Sequence, residues 1–136
     1  MHKIDLSKES GHQYAVMLWS QQADIRKRWP ELALLHAIPN GGSRAIPEAA
    51  ALKRTGVKTG VPDLHLPVPR GKFHSLYIEM KRPGGKPSES QKWWIEKLEQ
   101  YGNLALLCEG WEEAVKCLSE YLSLPQSLDP IREPES

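Results

Sequence analysis

Between Gly11 and Arg28 the apolar positions Ala15, Val16, Leu18, Trp19 and Ala23 form one broad stripe, and Pro30 follows its end. Such spacing puts apolar residues on one face of a 3.6-residue period and predicts a helix. The run LALLHAI (32–38) is short and mostly apolar and predicts a strand, stopped by the turn composition PNGG (39–42). A second helix is predicted from Ile46 to Thr55, with Pro47 at an early helical position and Gly56 at the C-terminal cap. After the loop GVKTGVP (56–62), DLHLPV (63–68) reads as a strand that breaks at Pro67 and Pro69. PRGK (69–72) turns the chain, and HSLYIEMKR (74–82) returns, which predicts a hairpin.

Past the loop PGGKP (83–87), Ser88 and Gln91 form an S-x-x-Q capping box that opens a helix through about Tyr101. Trp94, Leu98 and Tyr101 sit at helical spacing on it, and Gly102 stops it. NLALLCE (103–109) is a strand without alternation, which predicts a central place in a sheet. GWEEAVKCLSEYL (110–122) is a last amphipathic helix. The order α-β-α-β-β-α-β-α predicts an α/β fold, a mixed sheet flanked by helices. We expect one domain over residues 1–124 and a proline-rich, acidic tail over 125–136 that is poorly ordered on its own.

Composition narrows the class. A chain of 136 residues, 40% hydrophobic and 26% charged, can bury one ordinary core. It has no apolar run of about 18 residues to span a membrane, and its first residues, MHKIDLSKES, lack the apolar segment of a signal peptide. We therefore expect a cytoplasmic protein with no membrane partner. Cys108 and Cys117 are expected as free thiols, since no CxxC or histidine at ligand spacing suggests zinc. The net charge of +1 points to no partner, but its distribution does. From Lys53 to Lys92 there are nine Lys/Arg against three acids, and two of those acids, Asp63 and Glu79, lie in the predicted hairpin. A basic surface around a small acidic cluster suits a polyanion bound near a metal.

Strand side chains alternate faces, so Glu79 and Lys81 point one way and Ile78 and Met80 the other. If the hairpin pairs antiparallel, Asp63 comes close to Glu79. Two neighbouring carboxylates repel unless a cation lies between them. Mg²⁺ and Mn²⁺ are hard, oxygen-seeking ions that use one or two carboxylates, waters and substrate phosphate. A lysine beside such an ion can hold an attacking water or stabilise charge growing on phosphate. The bland alternative is an exposed edge strand with a Glu–Lys pair, which a bare E-x-K motif by itself indicates.

The surrounding sequence changes that weighting. "PD" opens one strand, "IEMK" lies in the next, and a helix with Gln91 in its first turn follows. This resembles the PD-(D/E)XK nuclease superfamily and, within it, the VRR-Nuc branch, in particular its small stand-alone phage and bacterial members. The matching stretches are "IPNGGSR" (38–44), "ALKRTGVKTGVPDLHLPVPRGKFHSLYIEMKRPGGKPSESQ" (51–91) and "YGNLALLCEGWEEA" (101–114), and the resemblance spans about residues 9–122.

The resemblance implies a PD-(D/E)XK nuclease-like core and a Mg²⁺- or Mn²⁺-dependent endonuclease acting on DNA. It implies a homodimer and a branched target such as a Holliday junction, in a bacterium or a phage-infected host. Asp63, Glu79 and the Met80 backbone carbonyl match metal ligands, Lys81 the catalytic lysine, and Gln91 a glutamine that supports the site. In a capping box Gln91 would instead turn back to the Ser88 amide. Glu9 is a candidate further ligand, against the alternative of a solvated acid favourable to the helix dipole, and Gln13 is a weaker one. Asn40, Gly41, Gly42 and Arg44 match a phosphate-binding loop, where glycine permits close approach. Lys53, Arg54, Lys58, Arg82 and Lys86 are candidate DNA contacts. His65 is read as structural, His36 and His74 as surface or satisfied strand residues, and Trp93 and Trp94 as core or interface. Two alternatives to catalysis are a non-catalytic nucleic-acid-binding module and a nuclease-fold subunit docking to a replication or recombination partner.

Overall fold

The predicted hairpin forms the middle of a four-stranded sheet in the computed structural model, which describes residues 3–39 and 46–126. Chain order runs through helix α1 (Glu9–Ser20), helix α2 (Ala23–Arg28), a 3₁₀ turn (Pro30–Leu34), strand β1 (His36–Ala37) and helix α3 (Ile46–Arg54). Strands β2 (Leu64–Leu66) and β3 (Leu76–Lys81), helix α4 (Glu89–Gln100), strand β4 (Leu104–Glu109) and helix α5 (Trp111–Leu122) follow. Sheet order is β1-β2-β3-β4. The first two pairings are antiparallel and β3–β4 is parallel, with α4 as the crossover between them.

The core lies on one face of the sheet. Leu76, Ile78 and Met80 of β3 and Leu64 and Leu66 of β2 meet Val16 of α1 and Ala114, Leu118, Tyr121 and Leu122 of α5. Tyr121, 2% exposed, donates its buried hydroxyl to Val68 O at 2.6 Å and so ties α5 to the strand that Pro67 has just ended. Helix α4 packs against β4 but contributes nothing to that cluster.

Three expectations are corrected. The stripe from Gly11 to Arg28 forms two helices, and the first begins at Glu9. Gly11 sits inside it because a Cβ there would overlap the Asp5 carbonyl oxygen, so the preceding loop can lie against the helix only over glycine. The run at 32–38 is split, its first three residues ending the 3₁₀ turn (Pro30–Leu34) and only His36–Ala37 forming a strand. Leu32 and Leu35, three apart, both enter the core, which fits a period of three and not of two. Strand β4 lies at the sheet's edge in this order, not its centre. Its continuous apolar run reflects helices α5 and α4 packing against it.

Candidate active site

The register of the hairpin decides where the polar groups meet. Leu64 pairs with Ile78, so one step outward Asp63 stands opposite Glu79, on the face away from the core. Asp63 Oδ2 accepts a 2.8 Å hydrogen bond from Met80 N. This fixes the carboxylate at the end of β2, within hydrogen-bonding reach of the Glu79 carboxyl.

One further step outward the register sets Pro62 opposite Met80. Lys81 O faces β4, where it accepts from Gly110 N, so the Met80 N–H and C=O face β2. In a regular ladder the opposing residue would donate to that carbonyl. Proline has no N–H to donate. The Pro62-Asp63 dipeptide therefore does two things: it stops the ladder and leaves a backbone oxygen beside two carboxylates.

Glu79 is 1% exposed and Lys81 5% exposed. Lys81 Nζ lies 3.5 Å from Glu79 Oε2 and 3.6 Å from Glu9 Oε1. The other oxygen of Glu79, Oε1, is buried with no hydrogen-bond partner. Burial first, then the Asp63 charge and its hydrogen bond, push the Glu79 carboxyl up from 4.5 to about 8, against the opposing pull of Lys81. An ionised carboxylate here lacks one partner, and a cation on Oε1 would supply it. The oxygens of Asp63 and Glu79 and the Met80 carbonyl form a hard donor set suited to Mg²⁺ or Mn²⁺. Among the described residues no group of three or more His, Cys, Asp or Glu side chains is gathered for a metal. Two carboxylates suffice for an ion that completes its shell with water and phosphate.

Glu9 reaches Lys81 from the first turn of α1. Its position depends on His12, which no motif in the sequence singles out. His12, one turn on, is 5% exposed. Its Nδ1 accepts from Trp111 N at 3.0 Å, so Nε2 carries the proton and donates to Leu6 O at 2.9 Å. The ring thus locks the start of α1 to the start of α5. The i, i+3 spacing of Glu9 and His12 was the available signal.

Gln91 closes the capping box: its Oε1 accepts from Ser88 N at 2.8 Å and its backbone N–H donates to Ser88 Oγ at 3.2 Å. That is the capping alternative, in which the side-chain oxygen returns to the Ser88 amide. His65 donates from Nε2 to Ser75 Oγ, which itself donates to Asn103 Oδ1, and its ring stacks on Tyr77 at 4.0 Å. That is a structural role. Lys53, Arg54, Lys58, Arg82 and Lys86 are exposed. Asn40, Gly41, Gly42 and Arg44 lie outside the described residues, as do residues 127–136 of the tail. No described helix is long and apolar enough to cross a membrane.

The family model described as the VRR-NUC domain matches residues 5–112. The chain is similar to a solved protein named "VRR_NUC domain protein", at 33% identity and a TM-score of 0.71, covering 87% of this chain and 90% of that one. No curated protein matches it.

Proposed function

The chain belongs to the VRR-NUC domain family, a family of nucleases, and on that premise we propose that it is a metal-dependent DNA endonuclease. The observation that carries this reading is Glu79 Oε1, a buried carboxylate oxygen without a partner beside Asp63 and Lys81. Asp63, Glu79 and the Met80 carbonyl would hold Mg²⁺ or Mn²⁺, with Glu9 as a further ligand reaching in from α1. When bound, such an ion supplies Lewis-acid stabilisation of phosphate charge and lowers the pKa of water.

The remaining chemistry belongs to the chain. Lys81 is held among acids with its ammonium buried, so it needs no reorganisation to hold a water in line with a phosphodiester. It also offers positive charge to the phosphate oxygens as that charge grows. Gln91 supports the site with its amide nitrogen. Exposed Lys53, Arg54, Lys58, Arg82 and Lys86 hold flanking phosphates, together with Asn40, Gly41, Gly42 and Arg44, and binding weakens as salt rises.

The finer reading is a homodimer acting on branched DNA such as a Holliday junction, where two related sites cut two strands. In its favour, Leu6, Tyr14 and Leu18 on and beside α1 are each more than 40% exposed, an apolar face of the kind association covers. Incubation with branched, flapped and linear DNA in Mn²⁺ or EDTA tests the activity, and light scattering tests the dimer. Metal-dependent products that disappear in Lys81→Ala support the reading. Binding without cleavage by the wild-type protein in Mg²⁺ and Mn²⁺ sinks it.

A further inference from the structure

Next to the head of β2 lies a cleft of about 400 Å³ whose lining includes Ile38, Pro39, Thr55, Lys58, Val61 and Trp94. It adjoins the segment that carries the site, since Val61 in its lining lies two residues before Asp63. Ile38 N donates to Asp63 O at 2.8 Å, so one wall is bonded directly to the residue at the head of β2. The opposite wall is equally fixed. Gly60, at φ +94°, lies so close to α4 that a Cβ would come within 2.8 Å of the Ser90 backbone. The 56–62 loop therefore sits on the first turn of α4, one turn before Trp94.

Its lining is mostly apolar. Aliphatic side chains and an indole, with the Thr55 hydroxyl among them, surround a space into which Lys58, the one cation among the described lining residues, opens. Trp93 meets Trp94 at 86°, with ring centroids 5.5 Å apart, an edge-to-face contact that steadies the ring. A flat, aromatic ligand attached to a phosphate fits these walls: the indole takes its face and the lysine its charge. In paired DNA every base is inside the stack. A base that enters this cleft must be unpaired.

We propose that the cleft against Trp94 receives an unpaired nucleobase adjoining the cut phosphodiester, so that this chain selects DNA with an unpaired nucleotide at the site. This rests on the nuclease reading above and adds its substrate preference. Stacking is indifferent to base identity, so the preference is for the unpaired state and not for a sequence.

The test measures binding in EDTA, apart from cleavage. The probes are a branched DNA with one unpaired nucleotide at the junction, the same DNA with an abasic residue there, and one with 2-aminopurine there. For the wild type, the abasic residue lowers affinity about tenfold and 2-aminopurine fluorescence falls on binding. In Trp94→Ala both effects disappear, whereas Tyr101→Ala, at an exposed aromatic just past the end of α4 that does not line the cleft, keeps them. Should Trp94→Ala fail to fold, Trp94→Phe and Trp94→Leu replace it: the ring keeps the abasic penalty and the aliphatic chain loses it. An abasic penalty that is absent in the wild type, or that persists without an aromatic ring at this position, overturns the inference. A protein that cleaves with Mn²⁺ but ignores the abasic residue loses only this inference. One that shows the penalty yet never cleaves loses the nuclease reading instead.

Discussion

Glu79→Gln, measured without metal, should make the protein more stable at pH 8 and flatten its pH dependence. With its carboxyl pushed up to about 8, Glu79 in the folded protein holds a proton that the unfolded chain releases near pH 4.5. Folding therefore binds more protons, and stability falls as pH rises from about 4.5 through about 8. Each pH unit between those two titration points is worth about 1.36 kcal/mol, so the full difference is about 5 kcal/mol, of which about 3 kcal/mol is lost between pH 5 and pH 8. For a chain of this size that is a fall in Tm of about 10 °C. Glutamine carries no charge into the burial, so it removes most of this slope. The assay is thermal unfolding of both proteins in EDTA from pH 5 to pH 8.5, followed by addition of Mg²⁺ or Mn²⁺. The cation should raise the wild-type Tm at pH 8 and leave the variant nearly unmoved. Parallel curves for the two proteins would mean that the Glu79 carboxylate is adequately solvated, and the case for a cation on its free oxygen would go with it.

Asp63→Asn should nearly abolish cleavage with DNA binding largely kept, and a variant cutting at near the wild-type rate removes Asp63 from the site. Lys81→Ala should lower kcat by about a hundredfold or more, and Glu9→Gln by less, since Glu9 is the more exposed partner at 45% of its side chain; full activity in Glu9→Gln takes it off the ligand set. Gly60→Ala should destabilise by about 1–3 kcal/mol in denaturant titration, because its φ of +94° and the Ser90 backbone leave no room for a methyl group. Tyr121→Phe should lose about 1–3 kcal/mol by leaving Val68 O buried without its donor, and unchanged stability would show that water replaces the hydroxyl.

The sequence by itself determined every element whose signal is local. The capping box at Ser88 and Gln91 forms as its spacing requires, and Gly56 follows α3 with φ +106°. The hairpin pairs as alternation and its prolines demand, and the Pro62-Asp63 and Glu79–Lys81 motifs meet at one sheet end. These rest on short-range periodicity and on chemistry confined to a few residues. What needed the tertiary structure depends on contacts far apart in the chain. Gly11 belongs inside a helix only because Asp5 folds back over it. The 32–38 run keeps only the short strand His36–Ala37, because Leu32 and Leu35 before it both find the core. His12 holds Glu9 in place through Trp111, ninety-nine residues away in the chain. A one-dimensional pattern records which residues can share a face, whereas burial and hydrogen-bond partners are settled only when distant segments compete for the same space.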